Sequence, residues 1–252
     1  MRLLIHATAV GLVLGGLALP AHAATATATA KSVYGYAWAD GKGALRIVPM
    51  KPAKVRRGGN VLYKLTPVTG AKELRLDYTR AAYSRVTTAC DLKETEGRVA
   101  LDRDGLGRTA CKPAQLTTGF LEGAVPLRVE YEGGKAVKAQ EFLLDAWPEP
   151  VTARGSITRI DDATLLFSTG GKQIKLGYTY LTSFYRATAR CGDRWVSGRA
   201  SGVDKRGLGK LPCESTDLAK ALKGAGRAVQ AQVSYTPDAN SAVEVWEVAR
   251  RP

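Results

Sequence analysis

Apolar residues along most of this chain recur at every second position rather than every third or fourth, which predicts short half-buried strands. Ser156–Ile160, Thr164–Ser168 and Gln173–Leu176 read as three such strands, and Gly170-Gly171 marks the turn between the last two. The middle section, Tyr178–Cys191, mixes Tyr, Thr and Leu and leads into a cysteine-bounded loop. One stretch changes period. Glu214–Leu222 predicts a short helix, with Ser215 as N-cap and Gly224 as its stop. Two final strands are predicted over Ala228–Tyr235 and Ala242–Ala249.

The same order occurs earlier, because the chain contains itself twice. TGAKELRLDYT (Thr69–Thr79) returns as TGGKQIKLGYT (Thr169–Thr179), and LDRDGLGRTAC (Leu101–Cys111) returns as VDKRGLGKLPC (Val203–Cys213). Cys90 and Cys111 answer to Cys191 and Cys213, and Trp147 is matched to Trp246. In the first copy, Pro113–Leu121 is the weaker helix, followed by strands at Val125–Glu132 and Ala139–Trp147. A period of about 100 residues is the size of a small domain rather than of a solenoid unit. Three strands, a helix-bearing connection and two strands is the order of an OB-type barrel. The expected fold is all-β with short helices: two tandem duplicated, barrel-like domains, copy 1 over 50–148 and copy 2 over 150–252.

The N-terminus predicts export. Arg2, the apolar run Leu3–Leu19 and Ala21-His22-Ala23 have the form of a signal peptide over residues 1–23. Both histidines, His6 and His22, lie inside it. Its removal would take away the usual general base and the commonest metal ligand. Four cysteines allow three pairings, and the duplication favours Cys90–Cys111 with Cys191–Cys213, one bridge per copy. Paired cysteines are neither nucleophiles nor zinc ligands. Of the 37 basic residues, 36 remain after Arg2, against 23 acidic ones, and they are spread over both copies. Such an excess suits a polyanion or an acidic partner, and equally a solubilising surface.

With Met50–Asn60 aligned to Pro150–Ile160, residues 24–49 have no counterpart and form an N-terminal arm. It opens on the low-complexity run ATATATAK (Ala24–Lys31). Two extended pieces follow, around a turn at Asp40-Gly41-Lys42-Gly43. Tyr34, Tyr36 and Trp38 fall within five residues of a chain that is only 7% aromatic. These three and Lys42 are the candidate partner-binding residues. They either anchor an added strand in another protein or fold back onto the first domain.

Candidate chemistry is sparse. Asp102-Arg103-Asp104-Gly105 has the look of a calcium loop, but copy 2 reads Asp204-Lys205-Arg206-Gly207, and no third acid follows at the spacing required. The shared Gly-Leu-Gly reads as a turn. Gly207-Leu208-Gly209-Lys210 is too short for a phosphate loop. No catalytic residue, metal site or cofactor is assigned, and an enzyme is not expected.

Two resemblances add to this. ITRIDDATLLFSTGGKQIKL resembles the opening of staphylococcal-nuclease-type domains, which implies an OB-like fold; beyond Asp161 and Asp162 the acidic positions of that family are not matched, so no chemistry carries over. The size, the signal MRLLIHATAVGLVLGGLALPAHA, the ATATATA leader with its aromatic extension and the non-catalytic body resemble the small linker subunit of secreted umbrella toxin particles. That resemblance implies an extracellular adaptor joining a protease-like or lectin-bearing subunit to a large repeat-containing toxin subunit, with the segment around Tyr34, Tyr36 and Trp38 inserting into one of them. No membrane partner is expected, since no second apolar segment follows the signal, and the lack of clustered alternating aromatic and basic residues speaks against nucleic acid. Two readings stand beside it: a secreted hydrolase inhibitor presenting the Gly192–Pro212 loop, and a basic polyanion or nucleic-acid binder built on OB-like barrels.

Overall fold

The computed structural model describes residues 30–249; the expected signal peptide and most of the ATATATA leader lie outside the described residues. The chain folds into two closed five-stranded barrels. In copy 1 the ring runs β1 (Lys31–Ala39), β2 (Ala44–Ile47), β5 (Leu74–Asp77), β9 (Lys135–Glu141), β8 (Val125–Glu132) and back to β1. In copy 2 it runs β10 (Val151–Arg159), β11 (Thr164–Thr169), β12 (Lys172–Gly177), β16 (Ser241–Glu247), β15 (Val229–Thr236) and back to β10. Single parallel pairings, Asp77 with Lys135 and Gly177 with Ser241, close the rings and leave neither barrel an open edge.

Each barrel carries the same excursion. β6 (Ala82–Arg85) and β13 (Ser183–Arg186) run parallel to the last barrel strand and pair with β7 (Thr109–Cys111) and β14 (Leu211–Cys213). Disulfides Cys90–Cys111 and Cys191–Cys213 tie off the loops between them, as the duplication predicted. Helices α1 (Pro113–Glu122) and α2 (Ser215–Ala225) then lead into β8 and β15. They bury Leu116 and Phe120 in one barrel core, and Leu218, Ala221 and Leu222 in the other. The N-cap of α2 is Glu214, one residue before the expected Ser215: Asp217 reaches back to accept the Glu214 N–H at 3.3 Å, so the acid three residues on decides the start. The helix runs past Gly224 and stops at Gly226, which adopts the left-handed conformation.

Register corrects the alignment of the two copies. Ala37 faces Ile47 as Ile157 faces Phe167, an offset of 120 residues, whereas Asp77 and Gly177 are offset by 100. The missing twenty residues are an insertion in copy 1, the hairpin β3 (Met50–Arg57) and β4 (Asn60–Pro67). Met50–Asn60 therefore has no counterpart in copy 2, while residues 31–47, expected as an unmatched arm, are the first two barrel strands. Copy 1 begins at β1, not at residue 50. At the other end Gln140, not Trp147, occupies the position of Trp246, since Ser84 pairs with Gln140 as Tyr185 pairs with Trp246. The last strand of copy 1 accordingly ends at Glu141.

Candidate functional site

Two of the three aromatic residues of the expected arm, Tyr36 and Trp38, lie in a seam between the copies. On β1, Val33 and Ala37 point into the barrel core, which sends Tyr34, Tyr36 and Trp38 outward. Trp38 is 4% exposed, and its Nε1–H donates to Ala239 O of copy 2 at 2.7 Å. Its ring lies so close to Gly177 that a Cβ there would overlap it. Tyr36 packs with Met50 and Ala239, and its ring is 5.7 Å from that of Trp147. Burial, with Asp238 adding to it, pushes the Tyr36 hydroxyl up to about 12. Tyr34 stays within copy 1, with ring centroids 5.6 Å from Tyr63 and 5.8 Å from Phe142. Lys42 is exposed in the β1–β2 turn and takes no part in the seam.

Charge joins the seam to its flank. The Arg46 side chain is only 3% exposed, with its guanidinium 5.8 Å from the Trp38 ring centroid and Nη1 3.5 Å from Glu73. Its Nε and Nη2 have no hydrogen-bond partner, and burial lowers its pKa against the pull of Glu73. Glu73 also accepts from Lys175 of copy 2 at 2.7 Å, so one carboxylate holds a cation from each copy. OB barrels ordinarily offer ligands the face of strands two and three with the loops beside it. Here Lys175 and Gly177 on the third strand of copy 2, and Ala239 in the loop between its last two strands, are engaged by copy 1.

A second arrangement is repeated in both copies. Arg85 pairs with Glu141 at 3.2 Å, and Arg186 with Glu247 at 3.0 Å with both side chains fully buried. Each arginine donates from Nη1 to the first cysteine's carbonyl, Cys90 O at 2.9 Å and Cys191 O at 2.6 Å, and again to the residue two further on. Each glutamate accepts the next backbone N–H, Val86 at 3.0 Å and Ala187 at 2.8 Å. Glu141 also accepts from the Tyr83 hydroxyl, whose ionisation is pushed far up by burial and then by that carboxylate; Glu247 accepts from Val196 N–H. The pair folds the disulfide loop onto the barrel, and its bonds leave little acceptor capacity for chemistry. Sequence reasoning overlooked these residues, although the repeat carried the signal in Arg85-Val86-Thr87 against Arg186-Ala187-Thr188.

The Asp102 and Asp204 turns are backbone devices: each Oδ1 accepts two N–H groups, from Asp104 and Leu106 and from Arg206 and Leu208. Gly107 and Gly209 follow because the backbone of Arg85 or Arg186 lies where their Cβ would be.

The inserted hairpin is the remaining asymmetric element. Val61 and Tyr63 are buried against Leu106 and Phe142, and the Tyr63 hydroxyl donates to Asp104 O at 2.7 Å. Residues 143–145 cover the free edge of β4 through Tyr63 N–H to Leu143 O and Asp145 N–H to Tyr63 O. Beyond Met50, the strand β3 pairs only with β4 among the described residues. The register puts Lys51, Val55 and Arg57 on the outward face with Leu62, Lys64 and Thr66. Residues 50–67 hold five basic side chains and no acidic one, a local concentration that the even spread over whole copies concealed. Lys54 is engaged by Asp104 and Arg57 by Asp145, which hold both carboxyls below the usual range. Lys51, Arg56 and Lys64 are exposed and in no ion pair among the described residues.

Both disulfides fit an oxidising setting, and no helix among the described residues is long and apolar enough to cross a membrane. No protein-family model, curated protein or solved structure matches the chain.

Proposed function

We propose that this protein is a secreted, non-catalytic adaptor that binds an extracellular protein partner through the β3–β4 hairpin of copy 1. The observation that carries the reading is the hairpin itself. Among the described residues it is the one element inserted into an otherwise duplicated body, and it presents an unpaired strand edge beside a basic, part-apolar face. Such a ribbon can accept an added strand through main-chain bonds while its lysines select an acidic partner. The aromatic segment, first expected to insert into the partner, is engaged by copy 2 of its own chain through Trp38 and Tyr36. A non-catalytic role is supported by the saturation of the buried glutamates with structural bonds. An extracellular particle of the kind the layout resembles is one setting for such an adaptor.

Deleting residues 24–42 would remove β1, so the test must use the hairpin. In one variant, residues 48–72 are replaced by Ser168–Lys172, the turn that joins the same two strands in copy 2. A second carries Lys51→Glu and Lys64→Glu, which leave the packed face intact. The wild type should co-purify a stoichiometric partner from culture fluid, and both variants should lose it. A partner retained equally by both would refute the assignment to the hairpin.

A further inference from the structure

We infer that copy 2 carries an anion site, absent from copy 1, that takes a phosphate group borne on a small molecule. This is independent of the hairpin. Each copy has a groove in the same topological place, between the disulfide loop, the entry to the fourth barrel strand and the chain leaving the fifth. In copy 1 its charged walls are Glu94, Glu122 and Glu141 with Lys93 and with Arg85, which is paired to Glu141. In copy 2 a cavity of about 550 Å³ is lined by Arg154, Arg206 and Arg227, with no carboxylate on its wall among the described residues. By register and turn, these arginines stand where copy 1 has Tyr34, Asp104 and Gly123. Two of the replacements are neutral and one is acidic, so the cationic character was built in one copy alone.

The donors are unevenly committed. Arg154 donates to Arg206 O at 2.7 Å and to Gln232 at 3.3 Å, and Arg206 is 3.2 Å from Asp204. Arg227 has no ion pair or side-chain hydrogen bond among the described residues. The same wall carries Trp195. It is 9% exposed, and its Nε1–H is buried with no acceptor. A buried donor left unpaired is costly, and this one is closed even to a water molecule, so the indole reports on the cavity wall rather than joining the donor set. Three guanidiniums, one shared with Asp204, favour a doubly charged oxyanion over a carboxylate, and guanidinium suits phosphate oxygens bidentately. The volume lies in the range of small-molecule sites, leaving room for a carrier the size of a sugar.

The test is a titration of the full chain with its disulfides intact, followed by ¹H–¹⁵N spectra at low ionic strength. The probes are inorganic phosphate, glucose 6-phosphate and acetate. The Trp195 indole N–H, identified from its loss in Trp195→Phe, should move saturably with both phosphates and little with acetate. Arg154→Gln with Arg227→Gln, both at exposed positions, should weaken binding at least tenfold. Tighter binding of glucose 6-phosphate would support a phosphate carried on a larger ligand; equal binding would support the bare group. The proposal fails if the shift never saturates, if acetate matches phosphate, or if the double variant binds unchanged.

Discussion

Removing Trp38 should cost more than any other single change at the seam. Trp38→Ala deletes a buried indole, its hydrogen bond to Ala239 O and the surface that covers Arg46. Large aromatic truncations at such sites cost about 3–5 kcal/mol, since the cavity collapses only partly. Gly177 supplies the complementary half of the test. A Cβ at position 177 would overlap the Trp38 ring, so Gly177→Ala should destabilise the wild type by about 1–3 kcal/mol through overpacking. In a Trp38→Ala background the ring is gone, and the same substitution should be nearly neutral. Urea denaturation of the four proteins gives the coupling energy, which should exceed about 1 kcal/mol. A Trp38→Ala loss below about 1 kcal/mol, or an equal cost of Gly177→Ala in both backgrounds, would refute the seam.

Glu247→Gln should destabilise copy 2 by about 3–5 kcal/mol in the same assay, because it leaves the fully buried Arg186 without its counter-charge. Tyr36 ties stability to alkaline pH. Its folded pKa, about 12, lies above the ordinary 10.0, so its stabilising contribution is complete below pH 10 and is lost as pH rises from there towards 12. Tyr36→Phe should therefore flatten the decline in stability between pH 10 and 11.5, and an unchanged slope would show that the hydroxyl does not titrate in the seam.

Much of the fold was legible because strand alternation and repeated cysteines are local signals. The five barrel strands of copy 2, the helices and both disulfides followed from them, whereas the short strands β13 and β14 of the excursion did not. The boundary of copy 1 did not, for a physical reason. Strand pairing is nonlocal, and a twenty-residue hairpin between β2 and β5 shifts every earlier residue relative to its mate without altering the pattern of either segment. The match TGAKELRLDYT, correct in itself, then pulled Met50 onto Pro150. Gly58-Gly59 between two alternating runs was the available sign of the insertion. Tyr34, Tyr36 and Trp38 were rightly seen as unusual, but their surroundings depend on where copy 2 sits. The arginines of the copy 2 cavity are spread from residue 154 to residue 227, and only the closed barrel brings them to one wall.

Hydrogen exchange of the free protein tests the central claim most directly: that the aromatic segment is a barrel strand buried in an internal seam, leaving the hairpin to meet a partner. Amides of residues 33–38 should exchange as slowly as those of 153–158, near the limit set by global unfolding, while the unpaired edge over 51–57 exchanges faster. Fast exchange at 33–38 beside slow exchange at 153–158 would contradict the account and return the aromatic segment to the role of a free arm.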